Sequence, residues 1–182
     1  MSLRSVYCLA PARAAADLIL HQLKEEGYAS DSISVVLLDA AGTARRLDSN
    51  RRGEFSGPLR GASAEIRGVV AWLHDVQTVV LSNIEIVVGG PIARAFADSA
   101  ADEIADGLNA FGMPNAESVR YQAKIAAGGI LVAVRGASLD PIDRARAIFA
   151  SHAATDVFTM VLTSAAKPAG YLMRRRVRSA AA

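Results

Sequence analysis

SVYCLAPARAAADLILHQLKEEGYASDSISVVLLD (residues 5–39) and GILVAVRGASLDPIDRARAIFASHAATDVFTMVLT (residues 129–163) share one pattern: a hydrophobic run, a helix opened near a proline, and a second hydrophobic run. In the first copy, Leu3 to Leu9 reads as a strand ended by Pro11, which suits a first helical turn because its missing N–H would be unpaired there anyway. Ala15, Leu18, Ile19 and Leu23 then recur at helical spacing, Arg13, Asp17, Lys24 and Glu25 occupy the other side, and Gly27 supplies the stop. Ile33 to Leu38 is apolar at odd and even positions alike, which predicts a strand covered on both faces. In the second copy, Gly129 to Arg135 is a strand, Asp140-Pro141 starts a helix, and Asp156 to Thr163 closes the sheet.

Parallel strands joined through a helix cross over right-handedly, so two such units side by side predict an α+β fold of duplicated β-α-β units in the ferredoxin-like arrangement. The expected organisation is a single domain over 1–163, interrupted by a long helical and strand insertion at about 40–128 between the second and third core strands. A basic tail at 164–182, read as mobile, follows it.

The insertion begins with AAGTARRLDSNRRGEFSGPLRGAS (residues 40–63), rich in Gly, Ser and Arg and reading as an exposed loop. Ala64 to Val76 suits a short helix, and Thr78 to Val88 is β-branched and strand-like. Ile92, Phe96, Ala100, Ile104, Leu108 and Phe111 step by three and four, predicting one amphipathic helix closed by Gly112. Pro114 opens the next helix, with Val119, Ala123 and Ala126 on one side and Gly128 at its end. Because the second strand is apolar on both sides, something must cover the sheet face that its two helices leave open. The insertion has enough apolar residues to do so, and a second subunit is the alternative.

Composition narrows the chemistry. A chain of 182 residues buries a real core without staples. The lone Cys8 cannot form an internal disulfide, which fits a reduced, cytoplasmic setting. Pro11, Arg13 and Asp17 interrupt the N-terminal apolar run before it resembles a secretory signal. Residues 76–97, the most apolar stretch, are broken by Gln77, Asn83, Glu85 and Gly89-Gly90-Pro91, short of the ~18 continuous apolar residues of a membrane span. The net charge of +2 divides into a mildly acidic body and a tail in which Lys167, Arg174, Arg175, Arg176 and Arg178 stand without an acid.

GMPNAESVRYQAKIAAGGILVAV (residues 112–134) resembles the C-terminal element of the YflT-type heat-induced stress proteins, the general stress protein family, through Gly112, Met113, Pro114, Glu117, Arg120, Tyr121, Gly128 and Gly129. GGPIA (residues 89–93) is similar to the small-residue turn before that family's second helix, and KEEGYASDSISVV (residues 24–36) to its opening. The chain departs from the family in its middle, where Trp72, Glu85 and the arginine-rich loop replace a glycine- and alanine-rich helical stretch. The resemblance implies a bacterial, soluble, stress-associated protein with no established catalytic activity.

The residues themselves offer no catalytic, metal or cofactor signature. His21, His74 and His152 fall on three different elements, Cys8 sits mid-strand without a base, and no nucleophile-elbow pattern surrounds a serine. Asp98, Asp102 and Asp106 predict a solvated carboxylate stripe on the helix at 92–111. GASAEIRG (residues 61–68) and VVGGPIA (residues 87–93) are the glycine features able to cradle a phosphate, and the second follows a strand and precedes a helix.

Three functions from different classes follow. The first is a non-catalytic module acting by self-association, as a homodimer, or by binding an unknown protein partner. The second is a small-ligand or anion sensor using Gly89, Gly90, Pro91 and Arg120. The third is a weak binder of nucleic acid or an anionic membrane surface through Arg45, Arg46, Arg51, Arg52, Arg174, Arg175, Arg176 and Arg178.

Overall fold

The computed structural model describes residues 3–39, 70–82 and 84–162. The elements are β1 (Leu3–Ala10), α1 (Arg13–Glu25), β2 (Ile33–Leu38), β3 (Gln77–Leu81), β4 (Ile84–Gly89), α2 (Ile92–Ser99), α3 (Ile104–Ala110), α4 (Asn115–Ala126), β5 (Ile130–Gly136), α5 (Leu139–Ser151) and β6 (Thr155–Leu162). The fold is α+β, built on one six-stranded sheet in the order β3-β4-β2-β5-β1-β6 with every neighbouring pair antiparallel. Since β1 and β2 both run antiparallel to β5, they are parallel to each other with β5 between them; β5 and β6 flank β1 in the same way.

Period-2 alternation sends each strand's side chains to two separate cores. On one face Val6, Cys8, Val35, Leu37, Val132 and Val134 meet Ile19, Leu20 and Leu23 of α1 and Ile142, Ile148 and Phe149 of α5. On the other, Tyr7, Leu9, Val36, Ile86, Val88 and Leu131 meet Phe96 of α2, Leu108 of α3, and Tyr121 and Ile125 of α4. The insertion therefore covers the second face with its own helices. At ~1.5–3 kcal/mol per buried large apolar side chain, each core is a major stabilising layer.

Helix ends follow the glycines. Gly27 takes φ +80° after α1, with Tyr28 N–H bonded back to the Leu23 carbonyl at 3.0 Å, and Gly112 and Gly128 close α3 and α4 the same way. The helical stripes are turned from their expected setting: α1 buries Ala16, Ile19, Leu20 and Leu23 and exposes Leu18, while α4 buries Ser118, Tyr121 and Ile125 and exposes Val119. Helix α1 starts at Arg13 behind Ala12, so Pro11 precedes the first turn.

Two expected elements divide. The strand expected over 78–88 is the hairpin β3–β4, with Ser82 in the turn and its hydroxyl donating to the Asp102 carbonyl at 3.1 Å. The single helix expected over 92–111 breaks into α2 and α3. Ala100 adopts the left-handed conformation (φ 47°), and Ser99 Oγ turns back to the Phe96 carbonyl at 3.4 Å. A new N-terminus follows, in which the Asp106 carboxylate accepts the Glu103 N–H at 3.0 Å and Gln122 Oε1 of α4 accepts the Ala105 N–H at 2.7 Å. The break destroys the carboxylate stripe, because Asp98 belongs to α2, Asp102 to the connection, and Asp106 to the cap of α3. Of the helix expected over 64–76, residues 64–69 lie outside the described residues, as do the loop at 40–63 and the tail at 164–182.

Candidate functional site

The Gly89-Gly90-Pro91 turn joins β4 to α2 at the end of the sheet. Gly89 closes β4 against Leu73 and Val76, and Gly90 takes φ +77° with its backbone pressed on β2: a Cβ there would lie 1.8 Å from the Ile33 carbonyl oxygen. The polar groups of the turn are largely engaged. Gly90 N–H donates to the His74 carbonyl at 2.7 Å and Ile92 N–H to Ser34 Oγ at 3.2 Å, while Gln77 Nε2 donates to the Ala93 carbonyl at 2.8 Å. Close packing accounts for both glycines, Gly90 against the β2 backbone and Gly89 against the Leu73 and Val76 side chains.

Beside the turn a cleft of ≈ 450 Å³ is lined by Asp31, His74, Asp75, Gly90, Pro91, Arg94 and Arg135. Gly90 and Pro91 line this cleft. Gly89 and Arg120 are not among its lining residues, and its guanidinium groups come from Arg94 and Arg135 instead. Arg94 faces Asp75 at 3.7 Å with both side chains exposed. Arg135 Nη2 donates to the Phe111 carbonyl at 2.9 Å, and its guanidinium stacks 3.5 Å over the Phe111 ring.

Arg120 is instead part of a clasp holding α4 to the edge strand. Its Nη2 lies 2.6 Å from Glu117 and 4.0 Å from Asp156, Lys124 binds the same Asp156 carboxylate, and the Tyr121 hydroxyl donates to the Asp156 carbonyl. Asp156 sits in a bulge where the β1–β6 register shifts between Tyr7 and Leu9, and it adopts φ +52°. The hydrogen bond from Lys124 holds the Asp156 carboxyl below its ordinary pKa, against a smaller opposing effect of burial. Burial raises the Tyr121 pKa, so the hydroxyl stays a protonated donor.

Sequence reasoning misses a third constellation. Ser5 and Tyr7 of β1 are fully buried, and Ser5 lies directly opposite Arg135 in the register. Ser5 Oγ, Tyr7 Oη and Arg135 Nε are all buried without a hydrogen-bond partner. The available signal is alternation, since positions 5, 7 and 135 share a face once β1 and β5 are paired in register.

The other polar residues have local roles. His152 bonds Gln22 Oε1 at 2.6 Å and ties α5 to α1, while His21 meets Glu25 at 3.2 Å on the exposed face of α1. Cys8 is buried and its thiol is pushed up by desolvation, the opposite of an activated nucleophile. Among the described residues no group of three His, Cys, Asp or Glu could hold a metal ion, and no helix is long and apolar enough to cross a membrane. Arg45, Arg46, Arg51, Arg52, Arg174, Arg175, Arg176 and Arg178, with the GASAEIRG feature, fall outside the described residues.

No protein-family model, curated protein or solved structure matches this chain.

Proposed function

We propose that this protein is a non-catalytic, stress-associated module that works by self-association, two copies joining edge to edge through β6. The stress assignment rests on the resemblance carried by residues 112–134. We read its frame as ferredoxin-like, a reading supported by the strand order β2-β5-β1-β6 and by α1 and α5 sharing one face. Such a frame hosts many activities and does not by itself choose one.

The observation that carries self-association is the edge strand. With helices over both sheet faces, β6 pairs on one side with β1 and has no strand on its other side among the described residues. Val157 and Val161 remain 41% and 43% exposed, and residues 157–162 carry no charge. An edge of this kind is a template for another strand. Antiparallel pairing about a two-fold axis at Thr159 would set Val157 against Val161 of the second copy and Phe158 against Met160, so the segment complements itself.

Sedimentation velocity at micromolar concentration tests this. The expected result is a dimer that Val161→Lys returns to monomer while the circular dichroism spectrum is unchanged. A monomeric wild-type protein, or a dimer indifferent to Val161→Lys, overturns the reading.

A further inference from the structure

We infer that Ser5, Tyr7 and Arg135 form a binding site for a compact monoanion, set beneath the Phe111 ring on the insertion-covered face of the sheet. This site goes beyond the self-association reading and does not depend on it. Three donors share one patch of the sheet. Ser5 and Arg135 are cross-strand partners, and Tyr7 follows Ser5 by two residues on the same face. The Phe111 and Phe158 rings wall them in, with centroids 6.4 and 6.2 Å from that of Tyr7, and Met160 stands opposite Ser5 on the β6 side.

Each group lacks something an anion supplies. Both hydroxyl side chains belong to fully buried residues, and neither oxygen completes a hydrogen bond of good geometry. Burial raises the Tyr7 pKa, with Ser5 and then Arg135 drawing it back, so the three groups are neighbours and the phenol stays protonated. Arg135 Nε is buried and unpartnered, and Tyr7 is the charge neighbour that acts on its guanidinium, while Asp31 and Asp75 line the cleft that it also reaches. Buried polar groups are nearly always satisfied, and this cluster, in which Ser5 and Tyr7 have only each other and Arg135 Nε has no partner, leaves donors for a ligand. A water would answer the hydrogen bonds alone, whereas an anion also balances the guanidinium. Arg135 also lines the ≈ 450 Å³ cleft at the sheet end, which Ser5 and Tyr7 do not line, so its guanidinium is the part of the cluster that meets solvent. Asp31 and Asp75 on that cleft disfavour multiply charged ligands, consistent with a single small charge.

The test uses the full chain in two measurements. Thermal melts are recorded with bromide or formate replacing gluconate at constant ionic strength, for wild type, Tyr7→Phe and Arg135→Gln. The expected result is a saturable rise of several degrees in wild type that both variants lose. Tyr7→Phe keeps the ring and deletes one hydroxyl, so it remains informative should Arg135→Gln fail to fold. A rise with bromide alone assigns an inorganic halide, and a rise with formate assigns the carboxylate of a small acid. Crystals grown in bromide should carry an anomalous peak within hydrogen-bonding distance of Tyr7 Oη. A water-like peak there without anomalous signal, or a melting shift unchanged in Tyr7→Phe, overturns the site.

Discussion

Strands β2 and β6 hold the same place in the two β-α-β units, each following a helix on the same face of the sheet, yet one is enclosed by strands on both sides and the other is an edge. β2 lies between β4 and β5 and buries Ile33 to Leu37 on both faces, whereas β6 alternates exposed and half-buried residues along most of its length. The difference comes from the insertion. Its hairpin pairs β4 with β2 and extends the sheet on that side, and its helices roof the face above, while β6 receives no strand among the described residues. The two β-α-β units thus have unequal ends, and the proposed self-association uses the end that receives no strand among the described residues.

The comparison breaks most severely at Gly90, the point where the insertion rests on β2. In Gly90→Ala the new Cβ would meet the Ile33 carbonyl oxygen, a rigid backbone atom, in a left-handed conformation that alanine disfavours. Strain and overpacking together predict a loss of about 3–5 kcal/mol, read as a fall in the urea midpoint. A loss below ~1 kcal/mol would mean that the turn can lift from β2 and that the enclosure of β2 is not built on this contact.

A matched pair of truncations sharpens it further. Leu37 of β2 is 1% exposed in the core beneath α1 and α5, so Leu37→Ala should cost about 2–5 kcal/mol through lost burial and a residual cavity. Val161→Ala in β6 should cost no more than about 0.5 kcal/mol at concentrations where the protein is monomeric. Equal losses would show that β6 is covered in solution.

Much of this asymmetry was open to reading from the chain, and the rest was hidden for identifiable reasons. The repeated apolar-helix-apolar pattern marks β1, α1, β2, β5, α5 and β6, and Gly27, Gly112 and Gly128 mark three helix ends because each left-handed residue there is glycine. Ile33 to Leu38, apolar on both sides, correctly announces a roof over the second sheet face. The break at Ala100 is masked because the apolar steps of three and four run on across it, although Ser99 bonds back to the Phe96 carbonyl and Glu103 with Asp106 caps a new helix. The β3–β4 hairpin is masked by β-branched residues on both sides of its turn. Arg120 cannot be assigned from sequence, since only the path of α4 across the sheet carries it to Asp156 rather than to Gly90. The Ser5–Arg135 pairing is a fact of register, which no local pattern in either strand encodes.

A small, pH-dependent effect belongs to the start of β6, where Asp156 replaces the ordinary beginning of a strand with a bulge clasped by α4. Its carboxyl is held below the ordinary aspartate range, mainly by the hydrogen bond from Lys124 and further by the Lys124 charge, the Thr155 hydroxyl and Arg120. In acid the unfolded chain therefore takes up this proton before the folded one does. The contribution is complete above the unfolded pKa, about 3.9, and is lost as pH falls from there through the lower folded value. Asn tolerates the left-handed backbone as Asp does, so Asp156→Asn preserves the bulge and removes only the charge. Solvent screens a pair whose Lys124 side chain is 43% exposed, which limits the expected loss at neutral pH to about 1 kcal/mol or less. Urea midpoints measured for both proteins down to pH 3 should converge as the wild-type carboxylate protonates. A constant gap across that range would instead assign the effect to the bulge backbone, and the clasp on β6 would then be the Tyr121 hydroxyl on the Asp156 carbonyl rather than the ion pair.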